Sequence, residues 1–99
     1  MIKHIVFIKL KGVSDDEKME GLNKLKAALD NLPSQISEIK KYETGINLSD
    51  SSTASDFALI GEFDSKEALE AYKAHPEHQK VLELISSLKG RTAVVDFEF

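Results

Sequence analysis

A chain of 99 residues, 41% apolar and 30% charged, fits one soluble globular domain and leaves no room for a second. Its net charge of −4 argues against nucleic acid and against an anionic membrane surface as partners. The absence of cysteine excludes disulfides, thiolate nucleophiles and cysteine-based zinc sites.

Ile2 to Leu10 is predicted to be a strand, rich in β-branched and aromatic residues. Ile2, His4, Val6, Ile8 and Leu10 fall on one face, and Lys3, Ile5, Phe7 and Lys9 on the other. Both faces are apolar at their centres, so both are expected to be covered. Lys3, His4 and Lys9 interrupt the apolar run, which does not read as a signal peptide, and no segment approaches the ~20 residues needed to span a bilayer. A cytoplasmic setting is expected.

Ser14-Asp15-Asp16-Glu17 forms a capping box. Leu22, Leu25, Leu29 and Leu32 follow at spacings of three and four, with Met19 and Ala28 on their flank, which predicts an amphipathic helix from Asp15 to Asn31 ended by Pro33. A second strand is read over Ile36–Asn47, a polar loop over Ser49–Ser55, and a third strand over Asp56–Phe63. These two strands are joined without a helix and should pair antiparallel. The next helix begins with Asp64 as N-cap and Glu67 placed to close its box. Pro76 either kinks this helix or opens a new one. Beyond it, His78, Val81, Leu82, Ile85 and Leu88 make one inward stripe, closed by Lys89 and by Gly90 as a left-handed cap. The last strand, Thr92–Phe99, carries Val95, Phe97 and Phe99 on one face and Asp96 and Glu98 on an exposed or edge face.

The order βαββαβ matches the ferredoxin-like α+β arrangement, a four-stranded antiparallel sheet with helices on one face, filling residues 1–99 as one domain. Such a sheet leaves its second face bare. The apolar residues of both parities are too many for a solvated face, so a homodimer packed sheet against sheet is expected.

The chain contains no GxGxxG, GxxxxGK[ST], HExxH or GxSxG motif. The unusual segment is Tyr72-Lys73-Ala74-His75-Pro76-Glu77-His78, which holds two of the three histidines and one of the two tyrosines. Helix phase puts Tyr72 and His75 on the face of Ala68 and Leu69, and turns His78 toward the sheet. His4 shares its strand face with Val6 and Ile8. Three imidazoles and a phenol are thus expected between sheet and helices, the parts of an acid–base site. Each also has a structural reading: His4 and His78 as hydrogen-bonded core histidines, His75 as a cap at the Pro76 break, and Tyr72 as an amphipathic core residue. His75-x-x-His78 lacks a third ligand in phase, and no metal or other cofactor is expected.

The opening Ile2-Lys3-His4-Ile5-Val6, Gly45 with Asn47, Asp56-Phe57-Ala58-Leu59, Phe63-Asp64-Ser65, the run Ala68 to His78 and Val95-Asp96-Phe97 together resemble the stress-responsive dimeric α/β-barrel (Dabb) family. The resemblance spans essentially the whole chain. It implies a tight homodimer whose two sheets form a barrel. Some members resemble polyketide cyclases that close a poly-β-keto chain by an aldol step. In those, residues at the positions of Tyr72 and His78 act as acid and base, with histidines at the positions of His4 and His75 nearby. Haem-degrading relatives usually carry a pocket tryptophan, which this chain lacks.

Two classes of function follow. In one, His78 removes an acidic C–H proton from a small β-dicarbonyl compound while Tyr72 hydrogen-bonds the developing enolate oxygen, His75 orients the pair and His4 lines the pocket. Polyketide-cyclase-like aldol chemistry is the narrower form of that reading. In the other, the protein is a non-catalytic stress dimer, structural or binding a small apolar ligand.

Overall fold

A computed structural model describes residues 1–99. The elements run β1 (Ile2–Leu10), α1 (Asp15–Asp30), α2 (Leu32–Gln35), β2 (Ile39–Ile46), β3 (Phe57–Phe63), α3 (Lys66–Ala74), α4 (Pro76–Ser87) and β4 (Gly90–Glu98). The strands form one antiparallel sheet in the order β2-β3-β1-β4. The ferredoxin-like arrangement is therefore present, with β1 and β3 at its centre.

The predicted parity of β1 decides which side the helices cover. His4, Val6, Ile8 and Leu10 are buried together with Phe57, Leu59 and Phe63 of β3. Leu22, Leu25 and Leu29 of α1, Leu69 and Tyr72 of α3, and Val81 and Ile85 of α4 close over them in a single core. The opposite face carries Ile5 and Ile60 side by side, flanked by Phe7, Ala58, Val95 and Phe97. Phe7, Val95 and Phe97 stand exposed there.

The α1 N-terminus has the predicted capping box: the Ser14 hydroxyl accepts from Glu17 N, and the Glu17 side chain reaches back to the Ser14 backbone. Several boundaries differ from expectation. Pro33 does not simply end α1; it sits in the first turn of the short α2, where its missing N–H leaves no helical bond unmade. Ile36 is not in a strand. It is buried as the C-cap of α2, and β2 starts at Ile39, with an irregularity at Ile39/Lys41 that keeps Tyr42, Thr44 and Ile46 on the helix side. The α3 N-cap is Ser65 rather than Asp64: its hydroxyl accepts from Ala68 N at 3.1 Å.

Pro76 splits the second helix in two. It stands at the start of α4, while His75 is at once the C-cap of α3 and the N-cap of α4. At the far end of α4 the left-handed residue is Lys89 (φ 59°), not Gly90. Gly90 is required for another reason, since a Cβ there would lie 2.7 Å from Ile85 Cγ2 and 3.1 Å from Ile85 O.

Candidate active site

The helices do not reach across the whole sheet. Over the β1–β4 side they leave a cavity of about 420 Å³. Its floor is His4, Val6, Ile8 and Leu59, with Thr92 and Val94 from β4. Its walls are Leu29 of α1, Tyr72 and Lys73 of α3, and His78, Gln79, Val81, Leu82 and Ile85 of α4. The volume lies within the ~300–1,000 Å³ range of small-molecule sites, and most of the lining is apolar. Leu82, expected to point inward, is exposed, and so is Val94 (49%). Both stand at the cavity's open side.

The break at Pro76 sets the orientation of His78. In an unbroken helix the Lys73 carbonyl would accept from Glu77 N. Here Glu77 N donates to His75 Nδ1 at 3.1 Å. The Lys73 carbonyl is left free and takes His78 Nδ1 at 3.1 Å and Gln79 Nε2 at 2.8 Å. A carbonyl oxygen only accepts, so His78 Nδ1 carries the proton and Nε2 holds the bare lone pair. Nε2 has no hydrogen-bond partner in the protein and is not sealed from solvent. The His78 ring packs on Tyr72 with centroids 4.4 Å apart. Burial lowers the His78 pKa; the Lys73 carbonyl bond opposes this, and the nearby His4 ring and Lys73 ammonium reinforce it. His78 is therefore a neutral base at pH 7.

His4 is only 4% exposed. Its Nδ1 donates to Asp96 Oδ1, which lies directly across the sheet in the β1–β4 register, and Lys73 Nζ approaches Asp96 Oδ2 at 3.5 Å. Asp96 is thus on the exposed edge strand, as expected, and its carboxylate still pairs with the buried His4 ring. Val95 and Phe97, which share the other face of β4, point away from the helices.

Tyr72 is fully buried, and its hydroxyl lies 2.6 Å from the hydroxyl of Tyr42 on β2. Burial pushes the Tyr72 phenol up to about 12, with the Tyr42 bond pulling it part of the way back. Burial, aided by the Tyr72 phenol, drives Tyr42 up as well. Both are neutral at pH 7. One bond between two hydroxyls uses one proton and leaves the other uncommitted, and of the two residues it is Tyr72 that lines the cavity.

Of the four expected site residues, His4, Tyr72 and His78 come together. The His4 and Tyr72 rings meet edge to face at 5.9 Å. His75 does not join them: it is absent from the cavity wall, and its ring caps α4. The expected convergence of three imidazoles is corrected to two. Sequence reading missed Asp96, Tyr42 and Lys73.

A family model described as the stress responsive A/B barrel domain (Dabb) matches residues 2–99. The chain belongs to the Dabb family. An uncharacterised protein of Streptomyces coelicolor is 34% identical to this Dabb domain over 102 residues, covering 100% of both. A stress-response A/B barrel domain-containing protein of Arabidopsis thaliana is 30% identical over 98% of the chain, which spans 46% of that longer protein. A dimeric protein of unknown function and ferredoxin-like fold from Bacteroides fragilis is 37% identical, with a TM-score of 0.91 over 99% of this chain and 95% of that one. No helix of this Dabb domain is long and apolar enough to cross a membrane.

Proposed function

We propose that this Dabb domain is a homodimer whose cavity performs acid–base chemistry on a small, largely apolar carbonyl compound, moving a proton at a carbon beside the carbonyl. The observation that carries this is the state of His78: Nδ1–H fixed on the Lys73 carbonyl, Nε2 bare and unpartnered, in a largely apolar cavity that keeps the ring neutral. A neutral imidazole positioned in this way is a competent general base.

The roles follow from the contacts. His78 Nε2 takes the C–H proton. The uncommitted phenolic proton of the Tyr72–Tyr42 pair is donated from Tyr72 to the developing enolate oxygen, away from water, where such a donor counts for more. His4 lines the same cavity, its ring held in place by Asp96 through Nδ1. A β-dicarbonyl compound suits this set because its second carbonyl makes the C–H proton acidic enough for an imidazole. No metal or cofactor takes part in these steps. The dimer is supported by the exposed apolar face of β1, β3 and β4 and by the dimeric Bacteroides fragilis relative.

Deuterium uptake from D2O at the acidic carbon of an alkyl β-keto ester, followed by NMR, tests the proposal. The wild-type protein is expected to accelerate exchange by roughly 10²–10⁴ over buffer. His78→Gln should abolish the acceleration, and Tyr72→Phe should lower it without loss of fold. A folded wild-type protein that accelerates no member of a β-dicarbonyl panel would overturn it and leave the stress-dimer reading.

A further inference from the structure

The Pro76 break places two imidazoles three residues apart in the chain, and they are bound in opposite senses. His75 Nδ1 accepts from Glu77 N at 3.1 Å, so that nitrogen is bare. His78 Nδ1 faces the Lys73 carbonyl at 3.1 Å, so that nitrogen is protonated. The two bonds are linked through one peptide N–H. Glu77 N is the helical partner of the Lys73 carbonyl by position, four residues on, and Pro76 offers no N–H of its own. While His75 is extended before Pro76 (φ −64°, ψ 136°) and its ring occupies Glu77 N, the Lys73 carbonyl accepts from side chains, His78 Nδ1 and Gln79 Nε2 at 2.8 Å.

We propose that His75 is a positioning residue for His78: by capping Glu77 N–H it keeps the Lys73 carbonyl open to side-chain donors, His78 Nδ1 beside Gln79 Nε2, and so keeps His78 Nε2 bare toward the cavity. This rests on the acid–base reading for its functional meaning, although the linkage itself is a property of the free protein. His75 touches no substrate in this scheme. It acts two bonds away, through Lys73.

The test reads tautomers by long-range ¹H–¹⁵N correlation of the ring nitrogens near neutral pH, with no ligand present. In the wild type, His75 should carry its proton on Nε2 and His78 on Nδ1. His75→Ala removes the cap, frees Glu77 N–H for the Lys73 carbonyl, and should turn His78 into a mixture of both tautomers. His75→Asn keeps a strong N-cap acceptor and should restore the single Nδ1–H form. Deuterium exchange into the β-keto ester should fall in His75→Ala and recover in His75→Asn. A His78 that stays wholly Nδ1–H in folded His75→Ala would overturn the inference, as would a wild-type His75 protonated on Nδ1. The second result needs no variant to fold. Because the tautomers are read without substrate, the linkage can fail while the catalytic proposal stands, and the reverse.

Discussion

Burial of the His78 ring favours its neutral form, and unfolding releases that constraint. Its folded pKa lies below the unfolded value of about 6.5, so the unfolded chain binds a proton that the folded chain refuses. The contribution is fully present above pH ~6.5 and is lost as pH falls through the depressed folded pKa. Urea midpoints at pH 7.5 and 5.5 should therefore fall more steeply for the wild type than for His78→Gln; equal falls would show that the ring is not desolvated. How the site residues could be read in advance differs among them. Strand parity found His4, and helix phase found Tyr72 and His78, because each lies on an element with a strong apolar stripe. Asp96 was hidden. Local alternation placed Asp96 on the exposed side of β4, as it is, but alternation within one strand does not show what lies across from it. Only the β1–β4 register, which is long-range, sets Asp96 opposite His4. The Tyr42–Tyr72 bond was hidden for the same reason: each parity was legible, but not their meeting.

Cap chemistry was legible where it is local. The Ser14 box lies in four consecutive residues, and Ser14→Ala should lower stability by about 1 kcal/mol in urea unfolding. The expected Asp64 cap and the observed Ser65 cap, by contrast, differ by one residue, and the choice rests on how the chain leaves β3. The role of Gly90 is tertiary. Gly90 reads as a left-handed cap from its place after a lysine, yet its value is the close approach of α4 to β4. Gly90→Ala should cost about 1–3 kcal/mol by forcing Ile85 aside. A neutral result in thermal melts would mean that α4 shifts freely. Pro76 shows the limit of sequence reading at this scale, since a kink and a split use the same residue. The split is settled by His75 capping α4, and the free Lys73 carbonyl that orients His78 is its consequence.

A chain of this size buries only about 60–65% of its unfolded surface, while its free sheet face exposes Phe7, Val95 and Phe97 around Ile5 and Ile60. Contiguous apolar surface of this kind marks an interface. The excess of apolar residues on both strand faces was visible in the sequence, which is why the second layer could be inferred without a helix to supply it. Light scattering with gel filtration should give about twice the 11.0 kDa chain mass. Phe7→Glu combined with Val95→Glu should shift the protein to monomer and lower its melting temperature. A monodisperse wild-type monomer at micromolar concentration would contradict the sheet-on-sheet assembly.

The most direct test of His78 as the cavity's base is its pH titration by ring ¹⁵N NMR in the wild-type protein. With only His4, His75 and His78 to assign, each ring can be followed separately. His78 is expected to be neutral at pH 7, to carry its proton on Nδ1, and to titrate reversibly below ~6.5 while the fold is intact. A His78 that is charged at pH 7, carries its proton on Nε2, or fails to titrate until the protein unfolds would remove the base from the cavity and the proposed chemistry with it.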